Sequence, residues 1–132
     1  MKIILNDVHS QLNSTEVAQI LRPRTLADLQ KSIRQAAAEN TPLSVAGGRH
    51  AMGGQQFLVD AVHIDMTGLD RVLATDSILG LLHIEAGADW PKIIADSHAM
   101  PLQNGATWGI RQKQTCVDAV SLGGSISAKT KK

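Results

Sequence analysis

The chain has 132 residues, with 13 Lys and Arg against 12 Asp and Glu and a formal net charge of +1 at pH 7, so its length fits one domain. Its 43% of hydrophobic residues suffices for a buried core, and its balanced charge argues against a nucleic-acid binder, which needs a clustered basic excess. The single cysteine, Cys116, excludes an intrachain disulfide and a thiolate metal cage.

The first third of the chain predicts a lead-in, a strand and a helix. Residues 1–14 show no period and are interpreted as an N-terminal lead-in. A short β-rich run at 17–21, stopped by Pro23, predicts an edge strand. Thr25 can cap a helix, and apolar residues then recur at helical spacing, which predicts a helix over about residues 25–40.

Short strands and a second helix are predicted next. The strand-like runs are 43–46, 62–65, 71–74 and 81–86. Asp89 is placed to cap a helix over 89–98, with Pro91 in its first turn, where a missing amide hydrogen is harmless. This element order predicts an α+β fold with a mixed or mostly antiparallel sheet and two helices on one face.

The last part of the chain is less regular. Residues 99–116 lack a period and are interpreted as a long irregular segment. The apolar run 117–128 contains a glycine pair and is interpreted as a strand-like entry to another unit. Because Val117, Val120, Leu122 and Ile126 would lack a covering partner there, self-association is predicted.

A glycine-rich loop, Gly47-Gly48-Arg49-His50-Ala51-Met52-Gly53-Gly54, directly follows the strand at 43–46. Glycines after a strand permit positive φ and let an anion approach the amide hydrogens, as in pyrophosphate sites. A Walker loop would need Lys followed by Ser or Thr, and a Rossmann loop would open a helix, whereas residues 55–59 lead toward a strand. The residues alone leave a pyrophosphate loop and an ordinary glycine-rich turn equally open.

Motifs spread over residues 15–128 occur in the order of a known family. They are Pro23 with the helix 26–38, the run 42–55, the run 62–66 with Leu69, Glu85 to Ala88, Pro101-Leu102 and Ser121 to Ile126. In this order they resemble the flavin-binding domain of the FAD-linked oxidases, the vanillyl-alcohol oxidase / p-cresol methylhydroxylase (PCMH) superfamily. The resemblance implies FAD as cofactor and the first subdomain of a PCMH-type FAD-binding domain over 15–100. Residues 101–132 would be an irregular segment and the start of a truncated second subdomain.

The resemblance also implies roles for individual residues. The cofactor-binding residues would be Gly47, Gly48, Arg49, His50 and Ala51 around the pyrophosphate, Gly53 and Gly54 beside them, and Gly123, Gly124 and Ser125 as a second contact. His50 matches a position where many members bond the 8α carbon of the flavin, a carbon that a deprotonated imidazole nitrogen can attack. The resemblance implies no catalytic residue here, because a separate substrate domain supplies the acid, the base and the substrate contacts. No metal site is expected, since His9, His63, His83 and His98 lack metal-ligand spacing.

Two functions stay open. The leading hypothesis is an N-terminal FAD-binding fragment of an FAD-dependent oxidoreductase that acts on an alcohol-type small molecule and is inactive alone. The alternative is a cofactor-free α+β oligomerisation or interaction module derived from this domain. A metal-dependent enzyme is the weakest reading. Because the chain shows neither a secretory core nor the ~18 apolar residues of a membrane span, a soluble cytoplasmic protein is expected, with FAD and a second copy as partners and neither nucleic acid nor membrane.

Overall fold

The computed structural model describes residues 3–100, 102, 105, 109 and 120–129. Two compact units divide the chain between Leu69 and Asp70. The sequence predicts a different division, into 1–14, 15–100 and 101–132. Those boundaries follow the resemblance to a cofactor-binding domain and not the compactness of the chain, so they stay a prediction. Cys116, Val117 and most of the predicted irregular segment lie outside the described residues.

The first unit contains two sheets and one helix. In chain order its elements are β1 (Ile3–Leu5), β2 (Thr15–Val17), β3 (Gln19–Leu21), α1 (Leu26–Ala38), β4 (Leu43–Ala46) and β5 (Val62–Asp65), followed by a 3-10 turn at Met66–Gly68. Strands β1 and β2 pair antiparallel, whereas β3, β5 and β4 form a parallel sheet in that order. The edge strand predicted over 17–21 is confirmed for Gln19–Leu21, whereas Val17 ends β2 in the antiparallel pair and a bend at Ala18 separates the two. In the central strand β5, Val62, His63 and Ile64 are all buried, as is typical of a parallel strand covered on both faces.

Helix α1 begins and ends where its sequence signals predict. The Thr25 side chain accepts a hydrogen bond from the Asp28 amide at 3.1 Å, which satisfies one unpaired donor of the first turn. At the other end Asn40 adopts a φ of 49°, and the Thr41 amide donates to the Ala36 carbonyl at 2.8 Å. Asparagine tolerates this left-handed conformation better than most residues, so it can close the helix without a glycine.

A buried histidine on the central strand contacts a side chain of the neighbouring strand in the parallel sheet. The His63 Nδ1 and the Ser44 Oγ are 2.9 Å apart on neighbouring strands, and the Phe57 ring lies 5.6 Å from the imidazole. Burial lowers the pKa of His63 below its usual value, although the Asp65 carboxylate opposes this shift. Its Nε2 has no hydrogen-bond partner within the described part of the chain. His63 is therefore held as a neutral, packed residue of the core.

The described part of the second unit contains a hairpin and two helices. Its elements are β6 (Val72–Asp76), β7 (Leu81–Ile84), α2 (Trp90–His98) and α3 (Leu122–Lys129). Strands β6 and β7 pair antiparallel, and the Arg71 guanidinium contacts the Glu85 carboxylate at 2.8 Å beside the hairpin. Helix α2 confirms its prediction, since the Asp89 side chain accepts from the Lys92 amide at 2.9 Å and Pro91 lies in the first turn.

The strand-like interpretation of the last apolar run is wrong for Leu122–Lys129, which form helix α3. Two hydrogen bonds fix the start of this helix, from the Leu122 amide to the Ala88 carbonyl at 2.8 Å and from the Gly123 amide to the Ala86 carbonyl at 2.9 Å. A Cβ on Gly123 would lie only 3.0 Å from that Ala86 oxygen. The glycine therefore permits a close approach of two backbone segments, which outweighs its poor helix propensity.

The predicted α+β class is confirmed, and the strands of the described residues form three separate sheets, two antiparallel and one parallel. Because α1 and α2 belong to different units, the prediction that they share one face of a sheet stays a prediction. In the described ranges, no helix combines the length and the hydropathy needed to cross a membrane.

Candidate functional site

The glycine-rich loop leaves β4 at the carboxyl end of the parallel sheet. Ligands of parallel sheets commonly bind at this edge. Positive φ values fall on Arg49, at 56°, and on Gly54, at 70°. Only glycine adopts this region without penalty, so Arg49 stores about 1 kcal/mol of backbone strain. Contacts from outside the loop must hold this conformation in place.

Three carbonyl groups of the loop are tied to the rest of the first unit. The Arg49 carbonyl accepts from the Val8 amide at 3.0 Å, and the Ala51 carbonyl accepts from the Gln56 side chain at 2.8 Å. The Met52 carbonyl accepts from the Asn13 side chain at 2.7 Å. These bonds turn the acceptors of the loop toward the protein.

Unlike these three carbonyls, several amides of the same loop have no hydrogen-bond partner among the described residues. Within the described residues, the amides of Gly47, Gly48 and Ala51 donate to no protein acceptor. A short loop in which the carbonyls of Arg49, Ala51 and Met52 are engaged and three amides donate to no protein acceptor is a donor set suited to an anion. The residues present therefore fit a pyrophosphate group, one of the two alternatives that the glycine pattern left open.

A segment that the sequence presented as a lead-in supports this loop. We call residues 6–13 the Asp7 turn, because the fully buried Asp7 carboxylate accepts hydrogen bonds from the amides of His9, Ser10 and Gln11. Its second oxygen accepts from the Ser10 hydroxyl and the Asn13 amide nitrogen, each at 2.8 Å. Desolvation raises the pKa of Asp7, but the hydrogen bonds from Asn13, Ser10 and Gln11 outweigh it and hold that pKa well below its usual value.

The Asp7 turn brings a second histidine to the predicted site. The His9 Nε2 lies 2.9 Å from the His50 Nδ1, and the two ring centroids are 4.9 Å apart at an interplanar angle of 48°. His50 is half-buried, whereas His9 is exposed. The sequence analysis identified His50 but not its partner.

The second predicted glycine cluster lies in the second unit, at the start of α3. The Gly124 amide is 3.4 Å from the Ser121 hydroxyl. Ser125 is buried, and its hydroxyl accepts a hydrogen bond from the Trp90 indole at 3.0 Å. That hydroxyl therefore anchors α3 to α2, and a cofactor contact by Gly123, Gly124 or Ser125 stays a prediction.

Among the residues that the structure describes, no group of three or more His, Cys, Asp or Glu side chains is arranged to hold a metal ion. The two neighbouring imidazoles of His9 and His50 belong to no such group within the described ranges. The described geometry of the loop favours anion binding by amides, beside a pair of contacting imidazoles.

Comparison with known proteins places the chain beside flavoenzymes. The profile of a family described as FAD binding domain matches residues 17–130. A solved structure of alkyldihydroxyacetonephosphate synthase superposes with a TM-score of 0.71 at 18% identity, over 89% of this chain and 23% of that one. At this identity the superposition supports the fold alone.

The curated relatives that the chain resembles are named as oxidoreductases or dehydrogenases. L-gulono-1,4-lactone dehydrogenase of Mycobacterium tuberculosis is 41% identical over 69 residues, which are 52% of this chain and 16% of that protein. An uncharacterized oxidoreductase from the fasciation locus of Rhodococcoides fascians is 36% identical over 76 residues, or 58% of this chain and 17% of that protein. An FAD-linked oxidoreductase of Gibberella zeae is 33% identical over 66 residues, which are 50% of this chain and 13% of that protein. The chain thus spans less than a fifth of the length of these relatives.

Proposed function

Because the chain belongs to the FAD binding domain family, we propose that it forms the N-terminal FAD-binding part of an FAD-dependent oxidoreductase. The observation that carries the proposal is the glycine-rich loop, in which the carbonyls of Arg49, Ala51 and Met52 accept hydrogen bonds while, among the described residues, the amides of Gly47, Gly48 and Ala51 donate to no protein acceptor. Amide dipoles at the carboxyl edge of a parallel sheet stabilise a pyrophosphate. When bound, FAD would supply two-electron redox chemistry, and this chain would hold its phosphates.

The remaining residues of the proposed site act around that loop. Gly53 and Gly54 follow the pyrophosphate residues in the chain, and the part of Gly123, Gly124 and Ser125 in cofactor binding stays a prediction. The Arg49 guanidinium is 3.4 Å from the Asn6 carbonyl, so this side chain braces the loop against the Asp7 turn. His50 is the residue for an 8α-histidyl bond in a complete protein.

We propose an alcohol-type small molecule as the substrate of the whole enzyme. The names of the relatives support redox chemistry, and one of them is a dehydrogenase of L-gulono-1,4-lactone. Because this chain spans 13–17% of these relatives, the groups that contact substrate would come from other parts of a longer protein, and this chain alone would not turn substrate over. Its cytoplasmic location stays a prediction.

We expect the isolated chain to purify largely without flavin, with no adduct on His50. Added FAD should bind weakly, with a Kd of roughly 0.1–1 mM, because the loop alone must offset the free-energy cost of ordering the ligand. Quenching of flavin fluorescence measures this affinity, and mass spectrometry after denaturation detects an adduct. Riboflavin is the matched control, since it carries the same ring without the pyrophosphate.

Equal binding of riboflavin and FAD would contradict a pyrophosphate loop. A stoichiometric FAD-sized mass increase on the peptide that carries His50 would show instead that the chain assembles a working flavin site alone. The proposal of an inactive FAD-binding part would then give way to a minimal flavoprotein.

An oligomerisation module is the second candidate, and one surface favours it. In the second unit the hairpin exposes Ile78 to 80% and Leu79 to 70%, beside the exposed Leu73 and Leu81. Several exposed apolar side chains on one hairpin favour an interaction surface there. Sedimentation at micromolar concentration should then show a dimer or larger species. A monomer throughout that range would eliminate this candidate.

A further inference from the structure

One buried histidine of the first unit contacts residues on both sides of the glycine-rich loop. His63 lies in the central strand β5 and is 1% exposed. Its Nδ1 is 2.9 Å from the Oγ of Ser44, in the strand that leads into the loop. The ring of Phe57, in the segment that leaves the loop, has its centroid 5.6 Å from that of the imidazole. We infer that neutral His63 supports the closed glycine-rich loop and that protonation of His63 opens it.

The surroundings of His63 suit the neutral ring but not the charged one. A neutral imidazole carries one proton, whereas the charged ring carries a proton on both nitrogens. The Nδ1 has the Ser44 hydroxyl as its partner, but the Nε2 is buried without a hydrogen-bond partner among the described residues. Protonation would therefore bury a charge together with an unpaired N–H group, which strongly disfavours the closed arrangement.

Two charged groups of the described residues act on the His63 ring, and they oppose each other. The Asp65 carboxylate, on the same strand, favours the charged ring, whereas the Arg49 guanidinium of the loop disfavours it. Asp65 already accepts hydrogen bonds from the Arg22 side chain and the Thr67 amide, each at 3.0 Å. The residues in register with His63 on β3 and β4 carry no charge. Burial has the largest influence, so the pKa of His63 lies below its ordinary value.

Of the neighbours of His63, the loop side can move most readily. Strand β5 is paired in register with β3 and β4 on both sides, so a shift of His63 itself would break two ladders. The Phe57 amide, in contrast, donates to the Gly54 carbonyl at 2.9 Å, which is a bond within one turn. Arg49 holds a positive φ of 56°, and release of the loop relieves this strain and separates the two positive charges. Displacement of Phe57 then gives water access to the Nε2 of His63.

The opening should depend on pH with a defined sign. Because the closed loop lowers the pKa of His63 from 6.5, the closed form binds fewer protons than the open form. The contribution of His63 to the closed form is therefore complete above pH 6.5 and decreases as the pH falls toward the lowered pKa. The consequence for the cofactor rests on the proposed function: FAD should bind more weakly at about pH 5 than at about pH 7.5.

Amide hydrogen exchange in the flavin-free chain tests this inference. Protection factors are compared, because they correct for the intrinsic effect of pH on exchange. Between about pH 7.5 and pH 5 we expect the protection factor of the Phe57 amide to fall roughly three- to tenfold. The Val62 amide, which donates to the Pro42 carbonyl at 3.0 Å at the start of β5, should keep its value. The nitrogen resonances of the His63 ring should titrate over the same range as the Phe57 protection.

His63→Gln keeps a polar side chain that can bond to Ser44 but does not titrate, so the Phe57 protection should no longer depend on pH. The matched control is His83→Gln, at an exposed position of the second unit, which should behave like wild type. If His63→Gln does not fold, the wild-type comparison of the His63 titration with the Phe57 protection decides alone.

Three results would overturn the inference: a His63 ring that stays neutral to about pH 5, a constant Phe57 protection while His63 titrates, or an equal fall at Val62. A fall in Phe57 protection with unchanged FAD affinity would support the inference and count against the proposed function. The two ideas therefore fail in distinguishable ways.

Discussion

Gly54→Ala is expected to weaken FAD binding roughly five- to thirtyfold, whereas Gly80→Ala should leave it unchanged. Both glycines adopt positive φ, at 70° and 66°, so both substitutions cost a similar amount of about 1–2 kcal/mol in backbone strain. Only at Gly54 does a Cβ meet another residue, with the Asn13 side-chain oxygen 2.9 Å away, whereas at Gly80 nothing lies within 4 Å. Comparing the two variants therefore distinguishes the effect of backbone strain from the effect of displacing the Asn13 side chain.

The displacement matters because Asn13 connects the Asp7 turn to the loop. Its side chain donates to the Met52 carbonyl at 2.7 Å and to the Asp7 carboxylate at 2.8 Å. Losing one or two such bonds amounts to about 1–2 kcal/mol, which corresponds to the stated fold-change if the loop must be ordered again on binding. Initial slopes of fluorescence quenching by FAD provide the comparison. Equal losses in the two variants would show that strain alone matters and that Asn13 does not support the site.

Asp7→Asn is expected to lower the thermal midpoint of the chain at pH 7 by on the order of 10 °C, as expected for a broken buried hydrogen-bond network. The carboxylate accepts from the Ser10 hydroxyl and the Asn13 amide nitrogen through one oxygen, where an asparagine would present a second donor. Asp76→Asn is the matched control. The Asp76 Oδ1 accepts both of its bonds, from the amides of Ile78 and Leu79, so an amide oxygen can replace it.

The effect of Asp7→Asn should depend on pH with a defined sign. The folded chain holds the pKa of Asp7 below its unfolded value of about 3.9, so the carboxylate stabilises the fold above that pH. This contribution is lost as the pH falls below about 4 toward the folded pKa. The difference in thermal midpoint between wild type and Asp7→Asn should therefore be full at pH 7 and shrink below pH 4. A difference that stays constant down to pH 2 would contradict the role of the charged carboxylate.

The elements whose signals are local could be predicted from the sequence. Thr25 and Asp89 both accept from an amide three residues ahead, an arrangement that needs no other part of the chain. Strands β4 and β5 are short β-rich runs bounded by turn formers, and both lie where they were predicted. Local hydrogen bonding and packing period therefore explain most of the fold.

The part of the candidate site that the sequence did not predict depends on contacts between distant residues. His9 meets His50 across 41 positions, and Asn13 meets Met52 across 39, so no spacing rule reports them. A signal was present in the spacing of Asn6, Asp7, Ser10 and Asn13, all of which favour side-chain-capped turns. That pattern indicates a compact turn but not what the turn contacts.

Helix α3 is another case in which contacts outweigh local preference. Two adjacent glycines are poor helix formers, and an apolar run around them is more typical of a strand. The amides of Leu122 and Gly123 nevertheless donate to carbonyls of the segment before α2, and these bonds place the first turn. Only the folded chain shows that Ala86 and Ala88 lie close enough to do this.

Amide-resolved NMR titration of the labelled chain with FAD tests the central claim, that the amides of the glycine-rich loop bind the pyrophosphate. We predict concentration-dependent shifts of the Gly47, Gly48 and Ala51 amides, no shift at the Gly80 amide, and no comparable shifts with riboflavin. The account would be contradicted if these three amides stayed unshifted up to the solubility limit of FAD, or if riboflavin shifted them equally.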